Sequence, residues 1–303
     1  LVKEDQTPLK DETIYNKRIE NTPEAYKKAI RELTHLYLRL RQLDKAKDEF
    51  ISIASHELRN PMAIIKGNIS MILAGDAGLV NNEVKDILTD VFVAVERQIR
   101  LVNELLDISR IEAGTMYFNL KEAVNVIQLS DLLVNSLKGV VQMRPVIIKV
   151  EKPLKELPTV QADQDKVSQV LINLVTNALK FTSKGSVIMS FYKNGDSVVT
   201  CVKDSGQGIP EEQKELLFRK FSKPASASVG TITAGSGLGL YISKKYIEHL
   251  GGQVWLESSK LGEGSTFCFS LPITGSSKAK EVAEEIKSLQ SLKALHENLK
   301  GGP

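Results

Sequence analysis

The sequence predicts a multidomain protein: an α-helical hairpin that dimerises into a four-helix bundle, followed by an α+β sandwich. Three observations carry this. Two long segments, on either side of Gly75-Asp76-Ala77-Gly78, each place apolar residues along a single helical face. Beyond Gly114 the texture changes to strand-like runs in pairs, mixed with helices rather than strictly alternating with them. Glycine clusters punctuate this second region, and one of them opens directly into a helix. A length of 303 residues leaves room for two such units, each with its own core.

Residues 1–24 are polar, carry Pro8 and Pro23 and show no period, so they stay unassigned. Over 25–50 the spacing is heptad-like. Tyr26, Ile30, Leu33, Tyr37 and Leu40 step four, three, four, three, with Lys, Arg and Glu outside, as in a coiled-coil seam. Leu40, Leu43 and Ala46 then step by three before Phe50 resumes, a stammer that overwinds a supercoil locally. Irregular packing is the plainer account of it, and a joint that transmits rotation is the functional one. Residues 51–114 read as the hairpin. Its first helix continues the seam through Ile51, Ala54, Leu58, Met62, Ile65, Ile69 and Ile72, with a bend expected at Pro61. Its second carries Val84, Leu88, Val91, Val95, Ile99, Val102 and Leu106 on one face and ends near Ala113-Gly114. A hairpin buries its stripe on one side only, so a second copy of the chain is expected to cover the other.

Residues 115–274 form the second unit. Residues 116–120 read as strand, 129–141 as helix, 146–150 as strand and 165–181 as a long helix. A hairpin follows over 186–192 and 198–203, turned at Lys193-Asn194-Gly195-Asp196. Then come a loop over 205–210, a helix over 238–250 and a second hairpin over 253–258 and 265–271. The tail, 275–303, holds Val282, Ile286, Leu289, Leu292, Leu295 and Leu299 at helical spacing. It is amphipathic and needs a partner that the sequence does not name.

Bulk properties exclude several classes. A net charge of +3 with no basic stripe among aromatics argues against a nucleic-acid partner. No run approaches the roughly 18 apolar residues of a membrane helix. The chain starts at Leu1 rather than Met, so membrane contact is expected only through a segment upstream. Cys201 and Cys268 lie far apart in apolar alternating runs and read as reduced, strand-borne core thiols, in keeping with a reducing cytoplasm.

Chemistry concentrates in a few short stretches. Ser55-His56-Glu57-Leu58-Arg59-Asn60-Pro61 sets an imidazole beside a carboxylate and an amide four residues on. Imidazole acts as nucleophile or base, and a neighbouring carboxylate can orient the ring and take its proton. By itself such a His is more often solvated helix surface. Downstream, Asn173, Asn177 and Lys180 share one helical face, opposite Leu171, Leu174, Val175 and Leu179. Amide oxygens suit Mg²⁺ and a lysine one turn on suits phosphate, although a plain polar face is an equal reading. Asp204-Ser205-Gly206-Gln207-Gly208 follows a strand, where an Asp can accept a hydrogen bond from an exocyclic amine. Gly235-Ser236-Gly237-Leu238-Gly239 opens a helix, the arrangement that offers free N–H groups to phosphate. Gly262-Glu263-Gly264-Ser265-Thr266 is a further cluster, and Ser222 to Ala234 has the composition of a mobile lid. His35, His249 and His296 have no such surroundings and read as ordinary side chains.

In this order the stretches resemble the sensor histidine kinases of two-component signalling, of the HisKA type, over roughly residues 45–273. Ser55 to Pro61 looks like the family's H box and Asn173 to Lys180 its N box. Asp204 to Gly208 and Gly235 to Gly239 look like its glycine boxes, and Phe218-Arg219-Lys220-Phe221 like its F box. The resemblance implies a Bergerat-type ATP-binding fold and a homodimeric kinase that phosphorylates His56 from ATP. The phosphoryl group would then pass to an Asp on the receiver domain of a response regulator. By the same match Glu57 would orient and deprotonate His56, and Asn60 would position water for the reverse, phosphatase reaction. Asn177 would ligate Mg²⁺ with Asn173 in support. Lys180 would contact phosphate, and Phe181 would pack on adenine. Asp204 would read the adenine amine, with Gly206 and Gly208 in its loop. Gly235, Gly237 and Gly239 would cradle phosphates, and Thr266 would add a hydrogen bond near adenine. Two positions depart from the common pattern. Asn60 stands where many members have Thr, and both can orient a water. Lys223 stands where many place Arg, so a point charge replaces a fork at the γ-phosphate. Two other readings remain: a non-catalytic dimeric docking scaffold, which would not bind ATP, and a Bergerat ATPase of the gyrase kind, which would release phosphate without labelling itself.

Overall fold

The break at Gly75 sets the first half of the molecule. Gly75 and Gly78 have φ of +90° and +103°, a region open to glycine but not to side chains that carry a Cβ. The chain therefore reverses there between α1 (Glu24–Ala74) and α2 (Asn82–Glu112), which pack on each other. The computed structural model describes residues 24–120, 122–142, 144–222 and 236–300 (side chains at 25, 44, 45, 48, 49, 52, 122, 140 and 289–300 excepted). Asn81 caps α2, its side chain accepting from the Val84 N–H at 2.8 Å. Pro61 is accommodated inside α1 without ending it. It supplies no N–H, so the Glu57 carbonyl, one turn back and next to His56, lacks its usual helical donor.

The second half is a five-stranded mixed sheet under three helices. In chain order its elements are β1 (Glu122–Val124), α3 (Val126–Val141), β2 (Val146–Glu151), β3 (Val160–Ala162), α4 (Gln164–Phe181), β4 (Gly185–Asn194), β5 (Ser197–Asp204) and the short α5 (Glu211–Lys214). After these come α6 (Gly239–His249), β6 (Gln253–Lys260), β7 (Gly264–Pro272) and α7 (Ser277–Lys300). The strand order is β2-β4-β5-β7-β6, with β2 parallel to β4 and every other pair antiparallel. The parallel pair is bridged by α4, whose apolar face (Val167, Val170, Leu171, Leu174, Val175) is buried against Val187, Met189, Phe269 and Leu271. Ile108 and Ile111 of α2 enter this same core, so the end of the hairpin is anchored in the sandwich.

Three differences from the sequence reading have physical causes. Residues 116–120 make no strand because side chains, not a neighbouring strand, satisfy their backbone. Asp163 Oδ2 accepts from the Asn119 N–H at 2.8 Å, and Gln161 Nε2 donates to the Leu120 carbonyl at 2.5 Å. The strand lies just beyond, where Glu122 pairs with Ala162. The helix expected from 129 starts at Val126, because the Asn125 side chain caps it, accepting from the N–H groups of Ile127 and Gln128. The reduced thiols are corrected as well. Cys201 and Cys268 face each other in the β5–β7 register and form a disulfide. They sit with Val199 and Trp255 in a small cluster of their own. A separation of 67 residues hides this pairing until the strands are in register, and bonds of this kind are uncommon in reducing compartments.

The first turns of the tail pack within the chain, while the side chains of Leu289, Leu292, Leu295 and Leu299 lie outside the described residues. Ala279, Val282 and Ile286 of α7 join the main core, and Val282 packs so closely on Gly251 that a Cβ there would lie 2.4 Å from its Cγ2. No helix among the described residues is long and apolar enough to cross a membrane.

Candidate functional site

The candidate residues fall into two groups, one on each half. On α1, His56 Nδ1 lies 3.7 Å from Glu57 Oε1, and both side chains are mostly exposed, at 66% and 74%. The neighbours hold this turn in place. Ser55 is buried, and Arg59 donates from Nε and Nη2 to Asn103 Oδ1 of α2, at 3.2 and 2.7 Å. Asn60 is exposed one turn from His56. The imidazole is thus presented to solvent from a continuous helix.

The second group surrounds the edge of the sandwich formed by α4, the β5 end and the start of α6. Asp204 terminates β5 and is nearly buried. Its Oδ1 accepts from the N–H of Gly206 (2.8 Å) and of Ser265 (3.2 Å). Desolvation raises its pKa above the usual carboxylate value, against the lowering effect of those two N–H groups. With Oδ1 committed, Oδ2 is left to accept from a ligand. Glycine is required around it. An added Cβ on Gly206 would meet the Phe181 carbonyl at 2.5 Å, and one on Gly264 the Asp204 carbonyl at 2.0 Å. Gly208, at φ +72°, would run into the Lys260 carbonyl at 2.1 Å. These close approaches let the backbone itself line the space. Ser259, which sequence reasoning missed, ties the loop down by accepting from the Ile209 N–H at 2.9 Å and bonding Ser265 Oγ at 2.8 Å. Thr266 stands on β7 opposite Lys203, next to this network.

On α4, Asn173 and Asn177 meet as their spacing implies: Asn177 Nδ2 donates to Asn173 Oδ1 at 3.3 Å. Lys180 Nζ lies 4.9 Å from the centre of the Phe181 ring at the helix end. From the other side Gly239, first residue of α6, approaches until a Cβ would be 2.2 Å from Asn173 Oδ1. Gly237, at φ +75°, packs on the backbone of Phe221 and Ser222. Phe221 itself has φ of +58°, alone among the described non-glycine residues in being positive, so the chain is strained where it leaves the F-box stretch. The structure therefore brings together Asn173, Asn177, Asp204, Gly206, Gly208, Gly237, Gly239 and the β7 Thr266. His56, Glu57 and Asn60 stand apart from them on α1. Lys223, Gly235 and the expected lid lie outside the described residues.

The two groups are tied through α2. Tyr246 of α6 donates to Asp107 Oδ2 at 2.7 Å, and its hydroxyl pKa is driven up, first by burial and then by the Asp107 charge. Lys220 pairs with Glu112. Glu104 bonds Ser236, the residue between Gly235 and Gly237, while its Oε2 is buried without a partner. Burial raises the Glu104 pKa above 4.5, with the Ser236 bond and Arg100 opposing. A carboxyl whose folded pKa is raised loses stability as pH climbs from its unfolded value through the folded one. Glu104→Gln should therefore stabilise the fold at pH 7, seen as a higher thermal midpoint. The gain should vanish near about pH 4, and an equal gain at both pH values would mean packing alone.

Comparison with known proteins bears on what this arrangement is for. Residues 46–114 match the His Kinase A (phospho-acceptor) domain, and residues 162–275 match the Histidine kinase-, DNA gyrase B-, and HSP90-like ATPase domain. The chain belongs to the sensor histidine kinases of two-component systems. This histidine kinase chain is 32% identical over 229 residues to the circadian input-output histidine kinase CikA of Synechococcus elongatus, covering 75% of the chain and 30% of that protein. It is 32% identical over 238 residues to the sensor histidine kinase WalK of Bacillus subtilis, covering 76% of the chain and 37% of that protein. It thus spans well under half of these relatives. Among solved structures, full-length ShkA in complex with AMPPNP superposes with a TM-score of 0.59 at 26% identity, over 74% of this chain and 46% of that one. An ATP-binding kinase domain behind a phosphoacceptor hairpin accounts for both groups of residues and for their order.

Proposed function

We propose that this kinase phosphorylates His56 from Mg-ATP and hands the phosphoryl group to an Asp on the receiver domain of a response regulator. The observation that carries the reading is the Asp204 site: a desolvated carboxylate at a strand end, with one oxygen held by two backbone N–H groups and glycines packed closely around it. Such a site accepts a hydrogen bond from the exocyclic amine of adenine. Gly237 and Gly239, at the start of α6, offer backbone N–H groups to the phosphates.

The donor set also fits the cation. Among the described residues no group of three or more His, Cys, Asp or Glu could hold a metal. The amide oxygen of Asn177, with Asn173 in support and completed by phosphate oxygens and water, suits Mg²⁺, which keeps waters and is seldom caged by protein alone. When bound, Mg²⁺ neutralises charge on the phosphates; Asn177 would hold it.

Glu57 lies on the Nδ1 side of His56 and takes that proton, leaving Nε2 as the nucleophile. A bond forms from Nε2 to the γ-phosphorus, and the bond to the β–γ bridging oxygen breaks, releasing ADP. In the second step the N–P bond breaks as an Asp carboxylate of the regulator takes the phosphoryl group. Asn60, one turn on, would orient a water for the reverse, phosphatase activity.

A homodimer is part of the proposal. A single chain leaves Leu33, Tyr37, Leu40 and Phe50 of the seam between 60% and 71% exposed, and Leu58 and Ile65 beside the His56 turn are also exposed. A second copy covers these faces and makes the four-helix bundle. Incubation with γ-³²P-ATP should give a label that is acid-labile and base-stable, as a phosphoramidate is. A label stable to acid, or phosphate release without any label, would overturn the reading.

A further inference from the structure

Ser243 lies one turn into α6, nearly buried, and no motif points to it. Asn173 Nδ2 donates to Ser243 Oγ at 2.9 Å. Asn173 Oδ1 in turn accepts from Asn177 Nδ2 at 3.3 Å. We propose that Ser243 is a positioning residue that sets the amide of Asn173 and, through it, presents the Asn177 oxygen to the metal of bound Mg-ATP. The inference rests on the kinase function proposed for this chain and deepens it.

The two ends of an amide have nearly the same shape, and only hydrogen-bond partners decide which way it faces. With Nδ2 of Asn173 committed to Ser243, its oxygen is the end turned to Asn177. That oxygen binds the Asn177 NH₂, which leaves Asn177 Oδ1 as the free end. An amide turned the other way would offer N–H donors, which cannot ligate a cation. Gly239 closes the arrangement from above: a Cβ there would strike Asn173 Oδ1 at 2.2 Å, so the side chain is confined between two turns of α6. The chain of contacts runs from a buried hydroxyl on one helix through two amides on another. It links the helix whose first turn faces the phosphates to the amide that faces the cation. Groups that orient a ligand from behind in this way typically change metal affinity by 10- to 100-fold when removed.

The test compares wild type, Ser243→Ala and Ser243→Cys as the full chain. ATP binding is measured by calorimetry in EDTA, then with Mg²⁺ titrated at fixed ATP, and His56 labelling is followed in parallel. Ser243→Ala is expected to raise the Mg²⁺ concentration for half-maximal effect about tenfold. Its ATP affinity in EDTA should stay within about twofold of wild type, because the adenine contacts are untouched. Ser243→Cys keeps the size with a weaker acceptor and should fall between the two; it carries the comparison alone where the alanine variant does not fold. An unchanged Mg²⁺ requirement overturns the inference. So does an equal loss of binding in EDTA, which is the signature of packing. A wild-type chain that neither binds ATP nor labels would instead overturn the kinase reading beneath it.

Discussion

His56→Gln reduces phosphate incorporation from γ-labelled ATP to below about 1% of wild type, since no second nucleophile takes its place. The side chain is exposed and its contact is the 3.7 Å approach to Glu57, so the fold should not register the change. Thermal stability is expected within about 0.5 kcal/mol, and ATP affinity within about twofold, because the nucleotide residues lie on other elements. This separates chemistry from binding. Labelling that survives His56→Gln would place the phosphoacceptor elsewhere. The same variant mixed with Asn177→Ala answers a further question: restored labelling in mixed dimers means that each catalytic domain serves its partner's histidine, and none means that it serves its own.

Asp204→Asn is expected to weaken ATP binding about 100-fold while leaving the empty protein as stable as wild type or more so. Asn can keep an oxygen towards the Gly206 and Ser265 N–H groups. Its NH₂ then faces the adenine amine, donor against donor. A lost hydrogen bond to a charged group costs about 1.5–3 kcal/mol, which is one to two decades of affinity. The stability expectation follows from the raised pKa. Burial already penalises the ionised Asp204, so between its unfolded and folded pKa the folded state binds more protons and stability falls as pH rises. Removing the charge removes that slope. Asp204→Ala behaves differently, since it orphans two N–H groups at about 1–3 kcal/mol each. Calorimetry with ATP and melting curves at two pH values tell these outcomes apart. An Asn variant that binds ATP normally would mean that Asp204 only braces its loop.

Much of this was legible in the chain because it depends on local spacing. Helical repeats name α1, α2 and α4, whose faces are decided within a few residues. Glycines with positive φ announce the reversals at Gly75 and Gly195. The site residues were legible for a similar reason: Asn173 and Asn177 sit one turn apart, and Asp204 sits with its glycines in one loop. The false strand over 116–120 shows the limit. An apolar alternation states a preference for extended backbone, but whether a ladder forms depends on a partner, and here Asp163 and Gln161 took that place.

By itself, then, the sequence picked out the candidate residues and the elements on which they stand, since motif spacing and periodicity act within one turn or one loop. Only the tertiary structure decided what meets across the fold. The β5–β7 register joined Cys201 to Cys268. The packing of α6 on α4 set Ser243 against Asn173. The docking of α2 put Glu104 and Asp107 beside Ser236 and Tyr246. The tail closed over Gly251. Each of these contacts joins residues dozens of positions apart, where no local periodicity reaches and the partner is chosen by packing the whole core at once.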